Sequence, residues 1–172
     1  MIYAGIGSRK TPGDIMDLMS RIAEVMAKKG HILRSGGADG ADNAFEKGHL
    51  MVTEENMEIW LPWTGFNGRN YDTVLNRDKH KWAFDLALRN FPWVERKPVV
   101  WKFAARNMLQ VFGADGKVPV DAVICWTKDA KVIGGTAYAL KIVMKYPDIK
   151  IYNLANANAC AKWEEWLRKS VA

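Results

Sequence analysis

Ile2-Tyr3-Ala4-Gly5-Ile6-Gly7-Ser8-Arg9 opens the chain as an apolar run that breaks on glycine, serine and arginine. A short continuous apolar segment reads as a parallel strand buried on both faces, and the polar residues after it as a loop at its carboxyl end. The same grammar returns downstream. His31 to Arg34 reads as a short strand that ends in Ser35-Gly36-Gly37-Ala38-Asp39-Gly40-Ala41-Asp42, and Met57 to Leu61 as a third. Val120 to Trp126 is the clearest strand, because Val120, Ala122, Val123, Ile124 and Cys125 are nearly all apolar; Ile149 to Leu154 is the last. Between the strands lie helical patterns. Ile15, Leu18, Met19, Ile22, Val25 and Met26 form one apolar stripe. Thr11 is the expected N-cap of that helix, Pro12 its first residue, and Gly30 stands where a C-cap glycine belongs. A second helix carries Ala44, Phe45 and Lys47 and is expected to stop at Gly48; others run from Ala137 to Lys145 and from Ala157 to Lys169. Alternating strands and helices predict an α/β, Rossmann-like open parallel sheet of about five strands, with helices on both faces and right-handed crossovers.

The chain has 172 residues, one domain's worth, and its 49% hydrophobic and 26% charged content suits a packed globule rather than a disordered chain. A single domain spanning 1–172 is expected. Two cysteines, Cys125 and Cys160, exclude a disulfide scaffold and fit a reducing compartment. No apolar run reaches the roughly 18 residues needed to span a membrane, and the first residues lack the basic-then-apolar layout of a signal peptide. The expectation is a soluble, cytoplasmic protein. The net charge of +6 argues for an anionic partner without choosing among nucleotide, nucleic acid and acidic metabolite.

Pro62 to Val99 breaks the alternation and is long for a connection in a compact domain. With three further residues it holds eight basic side chains (Arg69, Arg77, Lys79, Lys81, Arg89, Arg96, Lys97, Lys102) against four acidic ones (Asp72, Asp78, Asp85, Glu95). It also holds Trp63, Phe66, Tyr71, Trp82, Phe84, Phe91 and Trp93, and Lys79 to Asn90 has helical character. Three readings of this insertion stand open: a lid over one nucleobase, a surface for single-stranded nucleic acid, or a satellite core with a solvated basic rim.

Three glycine-rich loops follow predicted strands: Gly5-Ile6-Gly7-Ser8-Arg9, Ser35 to Asp42, and Gly134-Gly135-Thr136. In an open parallel sheet, ligands bind beyond the carboxyl ends of the strands. Glycine lets a ligand approach the backbone, and the N–H groups at a helix start favour phosphate or carboxylate. Three such loops in phase with three strands predict one concave anion site, although glycines also serve simply to make tight turns. The first loop lacks the third glycine of the dinucleotide fingerprint, and the chain has no Walker A sequence.

The order of Gly5-Ile6-Gly7-Ser8-Arg9, Ser35 to Asp42, Ala105-Arg106-Asn107-Met108, an apolar strand and Gly134-Gly135-Thr136 resembles the SLOG superfamily over roughly residues 2 to 154. This Rossmann-like group contains DprA (Smf), the YspA-like proteins and the LOG cytokinin-activating enzymes. The pattern is most similar to small stand-alone DprA-like or YspA-like proteins, frequent in phages. The resemblance implies a nucleotide-type ligand, a homodimer or higher homo-oligomer, and a bacterial or phage-infected host cytosol. It places Gly5, Gly7, Ser8 and Arg9 on the first loop, Ser35, Gly36, Gly37, Ala38, Gly40 and Asp42 on the second, and Arg106 and Asn107 in the wall. Gly134, Gly135 and Thr136 form the third loop. Arg9 and Arg106 are the expected phosphate partners, and Trp63 or Trp126 the expected stacking surface. For Asp42 a loop-bracing role and a ligand contact are both open.

Departures from the pattern bear on chemistry. The LOG enzymes resemble one another in a Pro-Gly-Gly-x-Gly-Thr-x-x-Glu motif whose glutamate serves catalysis; here the motif is shorter, lacks the proline and has Ala139 where the glutamate would stand. That removes the acid/base group of the phosphoribohydrolase reaction. The expectation is therefore a binder of a nucleotide or nucleotide-derived ligand, a signalling nucleotide being one candidate, rather than an enzyme. A DprA-like single-stranded DNA-binding protein is the first alternative. A nucleotide N-glycosidase using Asp39 or Asp42 is the second. No cofactor is specified beyond the nucleotide ligand. His31, His49 and His80 show no ligand spacing with the cysteines, so no metal site is expected; His80 is a candidate ligand contact within the insertion.

Overall fold

A computed structural model describes residues 1–172. Five parallel strands, β1 (Ile2–Gly7), β2 (Ile32–Ser35), β3 (Met57–Ile59), β4 (Ala122–Trp126) and β5 (Lys150–Asn153), form one sheet in the order β3-β2-β1-β4-β5. The chain winds outward from β1 to one edge, then crosses back to build the other half on β4. The apolar runs are strands because both of their faces are covered. Tyr3, Leu33 and Ile124 face a cluster with α1 (Gly13–Lys28), α2 (Ala41–Leu50) and α6 (Ala157–Val171). Ala4, Ile6 and Val123 face a second cluster with α3 (Lys81–Asn90), α4 (Pro98–Phe112) and α5 (Ala137–Val143). This is a Rossmann-like α/β fold.

Several element boundaries differ from expectation by a few residues, α4 is an added helix, and two of the differences have a clear local cause. Thr11 does not cap α1: its hydroxyl donates to the Ser8 carbonyl at 2.7 Å, and Pro12 is the N-cap instead. Gly48 does not stop α2, which continues to Leu50. A Cβ at Gly48 would run into the backbone of Ser20, so this glycine lets α2 lie against α1.

The insertion is neither a free lid nor a separate satellite. Leu75, Ala83, Phe84, Ala87, Phe91 and Val94 belong to the core on the α4 face. Its aromatics meet the body edge-on, Phe91 against Tyr138 at 4.9 Å and Phe84 against Trp101 at 5.6 Å. Two of its cations are engaged inside the molecule. Arg77 stacks 4.2 Å from Phe84 and 4.3 Å from Trp101, and Arg69 pairs with the buried carboxylate of Glu46 at 2.5 Å. Trp63 and Trp93 remain exposed. No helix is long and apolar enough to cross a membrane.

Candidate functional site

Neighbouring crossovers leave the sheet in opposite directions at β1 and β4, so their carboxyl ends part around a crevice, the usual ligand position in such folds. A cavity of about 1140 Å³ lies there. Ile6 to Lys10 and Trp126 to Lys128 form two sides, α4 supplies Val100, Phe103, Arg106, Asn107 and Gln110, and Ile133 to Thr136 with Tyr138 close the fourth. Ala38 and Asp42 reach in from the second loop.

The floor is polar and buried. Arg106 donates from Nη1 to the Gly36 carbonyl at 2.5 Å and the Trp60 carbonyl at 3.2 Å, and from Nε to Asn107 Oδ1 at 3.2 Å. Its Nη2 donates to no protein group. Asp42 sits at the start of α2, where its Oδ2 accepts from the Ala38 amide at 3.4 Å and the Gly7 amide also faces the carboxylate. Burial pushes Asp42 up to about 6, against the pull of Arg106 and those amides. Burial likewise lowers Arg106 to about 10, with Asp42 opposing the shift. Asn107 is a brace: its Nδ2 donates to the Gly135 carbonyl at 2.8 Å and ties the third loop to α4.

The rim has the opposite character. Arg9, Lys10 and Lys128 line it, all exposed and none in an ion pair within the chain. Phe103, Trp126 and Tyr138 stand between floor and rim as partly buried apolar walls.

Gly7, Ser8, Arg9, Ala38, Asp42, Arg106, Asn107, Trp126, Gly134, Gly135 and Thr136 thus converge on the cavity. Gly5, Ser35, Gly36, Gly37, Gly40 and Trp63 do not line it. Ser35 donates its hydroxyl to the Gly5 carbonyl at 2.6 Å and ties β2 to β1. Gly36 is required by its neighbours: a Cβ there would meet Arg106 Nη1 at 2.7 Å and Asp42 Oδ2 at 2.8 Å, with Gln110 Nε2 closer still. Gly134 and Gly135, by contrast, face open space. Trp63 packs edge-on against Phe66 and Phe103, one residue removed from the wall. Asp39 accepts from Asn67 Nδ2 at 3.0 Å outside the cavity, and Asp42 is its one carboxylate. Ala139 is buried in the core. His80 is buried away from the cavity, its Nδ1 accepting from the Asn76 amide at 2.9 Å. Gln110, like Lys10, Phe103, Lys128 and Tyr138, is a site residue that sequence reading missed. A glutamine between Leu109 and Val111 on a wholly buried stretch of helix was the signal available.

No family model and no curated protein matches the sequence. The architecture does have a solved counterpart. In fold, the chain is similar to DNA processing protein A of Helicobacter pylori, a protein with a single-stranded DNA binding mode. The likeness covers 88% of this chain and 64% of that one, at 18% identity and a TM-score of 0.54. The chain therefore spans less than two thirds of the DprA chain, and what they share is a DprA-like fold.

Proposed function

We propose that this chain binds a nucleotide or nucleotide-derived ligand in the cavity between β1 and β4. The carrying observation is the composition of that one cavity: apolar ring-bearing walls, a buried carboxylate and guanidinium at the floor, and three unpaired cations at the rim. A nucleotide presents the same three chemistries in one molecule: a flat base, a hydroxyl-bearing sugar and a phosphate. The volume of about 1140 Å³ lies just above the range of about 300 to 1,000 Å³ usual for small-molecule sites.

A second reading is single-stranded DNA. The fold likeness to a protein with a single-stranded DNA binding mode supports it, and so does the net charge of +6. Calorimetric titration with the four ribonucleoside 5′-monophosphates and with short oligonucleotides, at two salt concentrations, separates the two. The nucleotide reading expects saturable one-to-one binding of at least one mononucleotide, weakening modestly with salt. Oligonucleotide binding that collapses with salt and is not displaced by mononucleotides supports the second reading. Binding of neither class overturns both.

A further inference from the structure

We infer that the cavity takes its ligand with a neutral, hydrogen-bond-donating end down against Asp42, leaving the phosphate at the rim beside Arg9, Lys10 and Lys128. The inference rests on the nucleotide reading and specifies which chemistry meets which end of the cavity. It reverses the simplest expectation from three glycine-rich loops, in which phosphates settle onto the loop backbone.

The first ground is that the position an incoming anion would take at the start of α2 is filled by the protein itself. The carboxylate of Asp42 faces the Ala38 and Gly7 amides. A phosphate placed there would face a buried like charge in a low-dielectric setting, where repulsion is strong. The second ground is that Arg106 is unsuited to grip a phosphate with its fork. Nη1 and Nε are engaged with Gly36, Trp60 and Asn107, so only Nη2 is left to donate. The third is that the exposed positive charges lining the cavity, Arg9, Lys10 and Lys128, all sit at its mouth, whereas Arg106 is buried near Asp42.

What the floor does offer is a matched set for uncharged polar groups. An ionised carboxylate only accepts hydrogen bonds, so Asp42 calls for an O–H or N–H. Gln110, buried and making no side-chain hydrogen bond within the chain, and Arg106 Nη2 can donate beside it. Sugar hydroxyls satisfy such a set, since each donates and accepts; carboxylates bind ribose hydroxyls in dinucleotide sites for this reason. The polar edge of a nucleobase is the other source of the same chemistry.

The test uses the intact chain and the tightest of the four mononucleotides as probe. Its affinity is compared with that of its 2′,3′-dideoxy analogue and of an analogue with the exocyclic base amine or carbonyl deleted. A loss of tenfold or more for the dideoxy compound puts the sugar at the floor. The same loss for the altered base puts the base edge there, and both results support the inference. Asp42→Asn is then expected to weaken the probe at least fivefold, because an acceptor is exchanged for a donor. Equal affinity across the three compounds overturns the inference, even if Asp42→Asn fails to fold. So does an Asp42→Asn protein that binds the probe or inorganic phosphate more tightly than the wild type, since that is the signature of a phosphate at the floor. If no mononucleotide binds at all, the nucleotide reading itself falls, a result distinct from binding without discrimination.

Discussion

Asp42 and Arg106 hold each other in an environment that suits neither alone. Desolvation raises Asp42 from its ordinary 3.8 to about 6. A raised carboxylate pKa means the folded chain holds the proton more firmly than the unfolded chain. The group therefore costs stability progressively as pH rises from about 4 to 6, and the cost is complete above that, at about 3 kcal/mol. Asp42→Asn removes the ionisation. The stability of that variant relative to wild type should rise between pH 4.5 and pH 7.5, read from urea denaturation at the two values; a difference constant with pH contradicts the account. Arg106→Met should be destabilising by urea denaturation at every pH, because it leaves the buried Gly36 and Trp60 carbonyls without their donor and removes the positive charge that opposes the upward shift of Asp42. Gly36 and Gly135 make a second contrast. Gly36→Ala drives a methyl group into Asp42, Arg106 and Gln110, whereas Gly135→Ala meets open space at an ordinary φ. The first should lower the melting temperature by several degrees and the second hardly at all. Nothing in the sequence separates these glycines, since both stand in Gly-Gly pairs after a strand. The distinction lies in what the folded chain brings near them.

At the scale of elements, legibility followed burial. The β1 and β4 runs were readable because strands covered on both faces are apolar throughout, and α1 because one face is solvated and leaves a stripe. α4 was harder to read: Ala104 to Phe112 are all buried, and its polar residues Arg106, Asn107 and Gln110 line the cavity instead of marking a solvated face. On that helix Arg106 and Asn107 were reached only through the resemblance, and Gln110 not at all. The insertion was open to several readings for another reason. Its interleaved aromatic and basic residues fit a lid, a nucleic-acid surface or a satellite core equally; in the fold most of its rings pack into or against the core and Arg69 and Arg77 bind inside the chain, while Trp63 and Trp93 stay exposed. Composition records which groups are present but not whom they face. The α1–α2 crossing also gives an element-level test. Gly48→Ala should destabilise by about 1–3 kcal/mol through overpacking against Ser20, although alanine is the better helix former. A stabilised variant would mean that Gly48 is not holding the two helices at their spacing.

For the molecule as a whole, charge and stability separate in space. Arg9 and Lys128 are exposed and unpaired, so their replacement by alanine should leave stability within about 0.5 kcal/mol of wild type. The double variant should nonetheless weaken nucleotide binding and flatten its salt dependence, as read by titration at two ionic strengths; unchanged affinity would remove the rim from the phosphate's surroundings. The sheet order has a consequence in time. The two walls of the cavity come from chain segments far apart in sequence: the Ile2 amide donates to Asp121 across 119 positions, and β2, β3, the insertion and α4 all lie between β1 and its partner β4. Closing so long a loop is entropically slow. If that closure follows the rate-limiting barrier, no formed site exists there for a ligand to grip. Saturating nucleotide should then slow unfolding and leave the refolding rate where it was, so that occupancy acts as a latch on the finished fold rather than a template for it.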